Sequence, residues 1–345
     1  MSDTSDTNAG AHPDPPAERT NHDTQPGRRK RPRRRVVLIC LGSFLGLVIA
    51  AAVGTLLYVN HVVSSIPRIH VHGLAPATSS RETFLITAEP WGATGSATEV
   101  AALDRHPASN LVMLLHINAD GATGGAVTIP GDVKVNVPGH GTQPIWDALE
   151  EGGPSLLVQT VTQVTGLPIN HYARIDFNHI TGLINAVGGV DVDVPYATTG
   201  YGYNFVKGIN ALNGVTAIYY ARDPKLSDQD RLLRQENLVR ELLAKIADDH
   251  LLTSPVTAVH VLNSITSMLT VDSNLTNSQV ISLAGKFGKR SASSATYVTA
   301  ATLTVHGQRV LNTAIDDQLW KAVKKDSIAA FARQYPSTLT PATAP

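Results

Sequence analysis

GGPSLLVQTVTQVTGLPINHYARIDF, residues 152–177, decides the fold. Pro154 stands at the start of a run that puts Leu156, Leu157, Val161 and Val164 on one helical face, and Gly166 marks its end. HYARIDF (171–177) then supplies the β-branched and aromatic residues of a strand. The same strand composition, closed by turn residues, recurs in FLITA (84–88), NLVMLLHIN (110–118), GAVTIP (125–130), GVDVDVP (189–195) and TAIYYAR (216–222). Strands interleaved with amphipathic helices predict an α/β body, an α–β–α sandwich whose central mixed sheet is covered on both faces.

The chain around this body is divided by charge. Its 345 residues carry 28 basic and 28 acidic groups, but the first 35 hold eight of the bases against five of the acids. The remainder is therefore mildly acidic, which argues against nucleic acid as a partner through bulk charge. Val36 to Val59 reads VVLICLGSFLGLVIAAAVGTLLYV, uncharged and longer than the roughly 20 residues that cross a hydrocarbon core. It exceeds the apolar core of a cleaved signal peptide, typically about 7–15 residues, so a retained anchor is expected. RRKRPRRR (28–35) directly before it predicts a single pass with the N-terminus cytoplasmic and the body outside. The only cysteine, Cys40, lies inside this run, which removes disulfides and thiolate chemistry from the body.

These signals predict a disordered basic cytoplasmic tail (1–35), a transmembrane helix (36–59) and a juxtamembrane stalk (60–79). A core domain (80–252), a C-terminal part completing the same fold (253–328) and a low-complexity disordered tail (329–345) follow.

SDQDRLLRQENLVRELLAKIADDH (227–250) is the clearest helix. Leu232, Leu233, Val239, Leu242, Leu243 and Ile246 supply its apolar stripe, and Asp228 and Asp230 sit at the helix start, where carboxylates are favoured. Arg231, Arg234 and Gln235 are spaced i, i+3, i+4 and project from one side of the opening turns. Guanidinium groups at a helix N-terminus suit a phosphate; on spacing alone, a solvated face of Asp–Arg pairs fits as well.

MLLHIN (113–118), TIPGDVKVNVPGHG (128–141), the opening stretch, LINAVGGVDVDVP (183–195), LNGVTAIYYAR (212–222) and DQDRLLRQENLVRELL (228–243) together resemble the LytR-CpsA-Psr family of membrane-anchored cell-envelope proteins. LTVDSNLTNSQVISLAGKF (269–287) and TYVTAATLTVHGQRVLN (296–312) resemble the closing part of that fold, so the likeness covers roughly 80–328. The resemblance implies an extracytoplasmic phosphotransferase that moves a glycopolymer from polyprenyl (pyro)phosphate to peptidoglycan or another wall acceptor. It also implies an apolar pocket for the lipid, arginines on the pyrophosphate and acidic residues holding Mg2+. Such chemistry is mostly positioning and charge neutralisation.

Carried over by position, Arg222 matches the first arginine of the family's Arg-x-Arg, and Asp228, Arg231, Arg234 and Gln235 match its Asp-x-x-Arg-x-x-Arg-Gln helix. Asp132 matches the acid of Ile-Pro-Arg-Asp. The resemblance thus implies catalytic roles for Asp132, Arg222 and Arg231, and a pyrophosphate site of Arg222, Asp228, Arg231, Arg234 and Gln235.

Elsewhere the pattern is broken. Ala108, Ser109, Asn110 and Leu111 stand where the family has Arg-Ser-Asp-Thr, Gly131 where it has the arginine before Asp132, and Pro224 where it has the second Arg of Arg-x-Arg. Pro144, Ile145 and Trp146 replace its Lys-Ile-Asn. Thr87, Ala88, Glu89, Pro90 and Trp91 replace Gly-Ser-Asp-x-Arg, leaving Glu89 as the carboxylate available to the metal, with Asp104 and Arg105 nearby in sequence. Two functions therefore compete: a slow or divergent transferase, and a protein that binds the lipid-linked glycopolymer without turnover. A DNA-binding regulator is disfavoured by the external body and the absence of a helix-turn-helix in the tail. His70 and His72 lack a third ligand, and His140 sits in a turn.

Overall fold

The computed structural model describes residues 53–77, 81–89, 111–119, 124–176, 179–223, 225–248, 255–288 and 295–340; within these, the side chains of Glu89, 228–229, Leu232, 247–248, Pro255 and 284–288 lie outside the description. The basic tail, the apolar run as far as residue 52, Asp104, Arg105, Asn110 and Pro224 also lie outside the described residues. The chain separates at Thr55, and Leu56–Pro345 form the body.

In chain order, helical residues 53–64 (α1) precede β1 (Arg68–Ile69), β2 (Glu82–Glu89), β3 (Leu111–Ile117), β4 (Gly124–Pro130), β5 (Lys134–Val137) and β6 (Gly141–Pro144). Then come α2 (Asp147–Thr165), β7 (His171–Asp176), α3 (Ile180–Ala186), β8 (Val190–Val194), β9 (Thr198–Gly200), β10 (Tyr203–Phe205) and β11 (Gly208–Leu212). Next are α4 (Gly214–Ala221), α5 (Asp228–Asp248), α6 (Pro255–Met268), β12 (Leu269–Asp272) and α7 (Asn277–Gly288). The chain closes with β13 (Thr296–Thr299), β14 (Thr302–Val305), β15 (Gln308–Leu311), α8 (Thr313–Lys324), α9 (Ile328–Gln334) and a 3-10 turn, Pro336–Thr338.

The central sheet runs β1-β12-β7-β2-β3-β4-β13. It is mixed: β2 lies parallel to β7 and antiparallel to β3, and β4 pairs antiparallel with β3 and parallel with β13. Alternation along the strands sorts the core into two layers. Leu85, Val112, Leu114, Val127 and Ile129 meet Leu157, Val158 and Val161 of α2 and Leu319, Val323 and Phe331 of α8 and α9. On the other face Ala88, Leu111, Met113 and Ala126 meet α3, α4, Leu238 and Leu242 of α5, and Val261 of α6. This is the expected sandwich. A four-stranded sheet, β14-β15-β5-β6, flanks it.

In α2, Gly152 and Gly153 break the helical backbone before Pro154, and Gly166 ends it in the left-handed region (φ 63°), as the sequence indicated.

Three expectations change. TAIYYAR is not a strand but helix α4, because Asn213 builds a full capping box: its Oδ1 accepts the N–H groups of Val215 and Thr216 (3.0 Å each), and Thr216 Oγ1 accepts the Asn213 N–H (2.9 Å). Ala217, Tyr220 and Ala221 then bury one face, which outweighs the strand preference of the composition. The supposed stalk is largely built in: Val62, Val63, Ile66 and Val71 are buried and β1 pairs with β12. The tail read from residue 329 starts later, since residues up to 340 fold as α9, the 3-10 turn and a bridge from Leu339 to Val298. The expected span lies outside the described residues as far as residue 52; among the described residues no helix is long and apolar enough to cross a membrane.

Candidate functional site

The sheet register brings candidate residues to one end. Glu89 lies opposite Asp176, and Leu111 opposite Pro130, so the ends of β2, β4 and β7 and the start of β3 share that edge. Asp132 follows β4 there and is 61% exposed at its side chain. Its Oδ1 accepts a hydrogen bond from Arg309 Nη1 of β15 at 3.0 Å. A guanidinium thus stands beside Asp132, although residue 131 is glycine. Sequence reasoning missed Arg309, because only the pairing of Val310 with Lys134 carries β15 to Asp132.

The remaining candidates gather where α4 ends and α5 begins. Ser227 caps α5, its Oγ accepting the Asp230 N–H (3.1 Å) and donating to Asp230 Oδ2 (2.7 Å). Arg222 directly follows α4, not a strand, and is 6% exposed. Its N–H donates to the Ile218 carbonyl, and its own carbonyl accepts from the Tyr201 hydroxyl (3.1 Å). Arg231 is partly buried, and its Nη1 donates to the Leu226 carbonyl at 2.8 Å. The side chains of Asp228 and Glu89 lie outside the described residues.

Arg234 is placed differently. It is 0% exposed, with Nη1 donating to the Tyr220 carbonyl (3.1 Å) and Nη2 to Thr198 Oγ1 (3.2 Å). Its guanidinium stands 3.7 Å from Asp223 Oδ2 and 4.7 Å from the Tyr220 ring centre. Burial lowers the affinity of this guanidinium for its proton, and Tyr220 and Asp223 oppose that loss. Gln235 Nε2 donates to the Ala221 carbonyl at 3.4 Å. Arg234 and Gln235 therefore cap the carbonyl end of α4, where a cation is favoured by the helix dipole. They hold the α4–α5 junction in shape, while Arg222 opens the connection and Arg231 is tied to its Leu226 carbonyl. Asp223, adjacent to Arg222, was the acid whose partnership with Arg234 the sequence did not signal.

On the α5 side of the sheet, Ile86, Leu115, Ala173 and Ile175 lie on inner strands yet remain only partly buried. Helices cover this face without fully burying these side chains. Two clefts elsewhere, of about 540 and 260 Å³, lie along α8 and α9 and between β5, β15 and α8; neither is lined by the candidate arginines.

A magnesium site needs hard anionic oxygens in near-octahedral array. Among the described residues no three His, Cys, Asp or Glu side chains come together, and Asp132 is engaged by Arg309. The side chains of Glu89 and Asp228, and the whole of Asp104 and Asn110, lie outside the described residues.

A mixed sheet between two helical layers, with arginines at a helix-to-helix turn on one side, defines an α/β sandwich protein with a basic junction. Residues 101–333 match the model of the LytR_cpsA_psr family, and the chain belongs to that family. It is 32% identical over 167 residues to a probable cell wall biosynthesis protein, LcpB, of Corynebacterium glutamicum, covering 47% of this chain and 40% of that one. The chain therefore spans well under two thirds of that relative. It is 24% identical over 225 residues to the polyisoprenyl-teichoic acid–peptidoglycan teichoic acid transferase TagU of Bacillus subtilis, covering 64% of this chain and 73% of that one. The solved structure of TagT bound to LIIa-WTA shares the fold with a TM-score of 0.57 at 19% identity, over 75% of this chain and 99% of that one.

Proposed function

We propose that this family member acts in cell-wall assembly as a membrane-anchored, extracytoplasmic protein. In this reading it holds a polyprenyl-(pyro)phosphate-linked glycopolymer at the α4–α5 junction and transfers it to peptidoglycan or another wall acceptor. The observation that carries the reading is the placement of Arg222 and Arg231 at one helix-to-helix turn. The apolar run at 36–59 behind RRKRPRRR supports the anchor and its N-in orientation. The names of TagU and of the TagT complex support the substrate class.

In the transfer, an acceptor hydroxyl attacks phosphorus: its P–O bond forms, the phosphoanhydride bond breaks, and polyprenyl phosphate leaves. Arg222 and Arg231 spread the charge that builds on the phosphoryl oxygens. Asp132 takes the hydroxyl proton, with Arg309 orienting its carboxylate. Arg234 and Gln235 keep the junction rigid. No step is routed through magnesium, because the described donors do not assemble a site for it.

Binding without turnover is the second reading. Gly131 and Pro224 in place of side chains that could hold phosphate, and the tie of Asp132 to Arg309, favour it. Purified full-length protein in detergent, given a polyprenyl-pyrophosphate-linked saccharide and a wall acceptor with and without magnesium, separates the two. Release of polyprenyl phosphate that falls in Arg231→Ala and Arg222→Ala supports transfer. Saturable binding without release supports the second reading, and binding indifferent to both arginines removes the proposed site.

A further inference from the structure

Residues 234–238 of α5, Arg-Gln-Glu-Asn-Leu, are all buried, so the helix is enclosed on every side at this turn. Arg234 and Gln235 are bonded to α4, and Asn237 donates to the Tyr220 hydroxyl (3.1 Å). Glu236 differs: it is 4% exposed, and neither carboxylate oxygen has a hydrogen-bond partner of good geometry. The groups facing it are the hydroxyls of Thr128 on β4 and Thr340 past the 3-10 turn, with Arg240 one helical turn along α5 as the charged neighbour. Tyr297 of β13 faces the same Arg240.

The segment carrying Thr340 is a short strap. It is held to β13 by the Leu339–Val298 bridge, the Thr340 N–H to Tyr297 carbonyl bond (3.1 Å) and the Thr299–Thr340 hydroxyl contact (3.2 Å). An ionised carboxylate sealed without partners is costly, and the same group protonated can donate to a hydroxyl.

We propose that residues 336–340 form a proton-controlled strap, closed over Glu236 when that carboxyl is protonated and released when it ionises. Burial raises the Glu236 carboxyl from 4.5 to about 7 with the strap closed. Because the closed form binds the proton more tightly, closure is strongest below the ordinary carboxylate range. It weakens as pH rises towards 7, then levels off. Between pH 5 and 8 the open-to-closed ratio should rise on the order of 70-fold.

The test is amide hydrogen exchange of residues 338–340 in the full-length protein, corrected for intrinsic chemical rates. Protection in wild type should fall by tens of fold from pH 5 to 8, while Glu236→Gln, neutral at both, should stay closed and flat. Flat protection in wild type, or a Glu236→Gln profile that follows wild type, would overturn the strap. Should Glu236→Gln fail to fold, carbon NMR of the full-length protein decides: with the strap closed Glu236 should titrate well above the ordinary carboxylate range, and a value in that range would overturn the strap.

Discussion

Arg231 and Arg234 lie three residues apart on one helix, yet their surroundings give them different tasks. Arg231→Ala removes a bond to the Leu226 carbonyl from a partly buried side chain, so its stability should fall by about 1 kcal/mol while lipid-phosphate binding weakens. Arg234→Ala leaves Asp223 buried without its cationic neighbour and uncaps α4, and should cost about 3–5 kcal/mol in denaturant unfolding. Loss of function in the second variant would then report folding, and only the first would report contact with phosphate. The i, i+3, i+4 spacing made the shared helix face legible. It could not show that α4 would end against Arg234, because that contact depends on a helix whose composition read as a strand. Asp272 offers a separate test by pH. Burial alone would raise its carboxyl, but the His171 ring and the N–H groups of Tyr172 and Asn274 outweigh this and hold it below the usual carboxylate range. Its stabilising effect should be present above about pH 4 and disappear as pH falls further, and Asp272→Asn should lose that acid-side slope in equilibrium unfolding.

At the scale of elements, alternation named the inner strands and α2 correctly because each carries its own period and its own stop signals. α4 was misread because Tyr219 and Tyr220 resemble strand residues, while the signal that mattered was Asn213 three residues before Thr216. Close approach to α3 fixes where α4 begins. A Cβ on Gly214 would stand 2.5 Å from the Thr181 carbonyl oxygen and 2.8 Å from its Cα, both backbone atoms. Gly214→Ala should therefore lower stability by about 1–3 kcal/mol and shift α4. The change should propagate to Arg222 at the other end of α4, and a binding assay on the folded variant should show weaker affinity for lipid phosphate. The flanking sheet β14-β15-β5-β6 left little trace in sequence, since its four strands are each four residues long and partly exposed.

For the whole molecule, the layered body was more legible than the site. A zero formal charge concealed a basic N-terminal stretch and a mildly acidic remainder, and position rather than total carried the information about topology. A reporter enzyme that matures only outside the cytoplasm, fused after Pro345, should be active in cells. The same reporter placed before residue 28 should be inactive. The candidate residues were harder to read, because Asp132 meets Arg309 only through the pairing of β15 with β5, and Arg234 meets α4 only once the chain has turned back.

One consequence lies in how the central sheet is bordered. β1, the first strand, closes one margin and the Leu339 bridge covers the opposite one, so stretches from near both ends of the body occupy the two places where another chain could zip on. Unpaired margins invite self-association into fibrous aggregates. Trimming this protein at either end for crystallisation or assay should therefore lower its solubility well before it disturbs any residue of the basic junction.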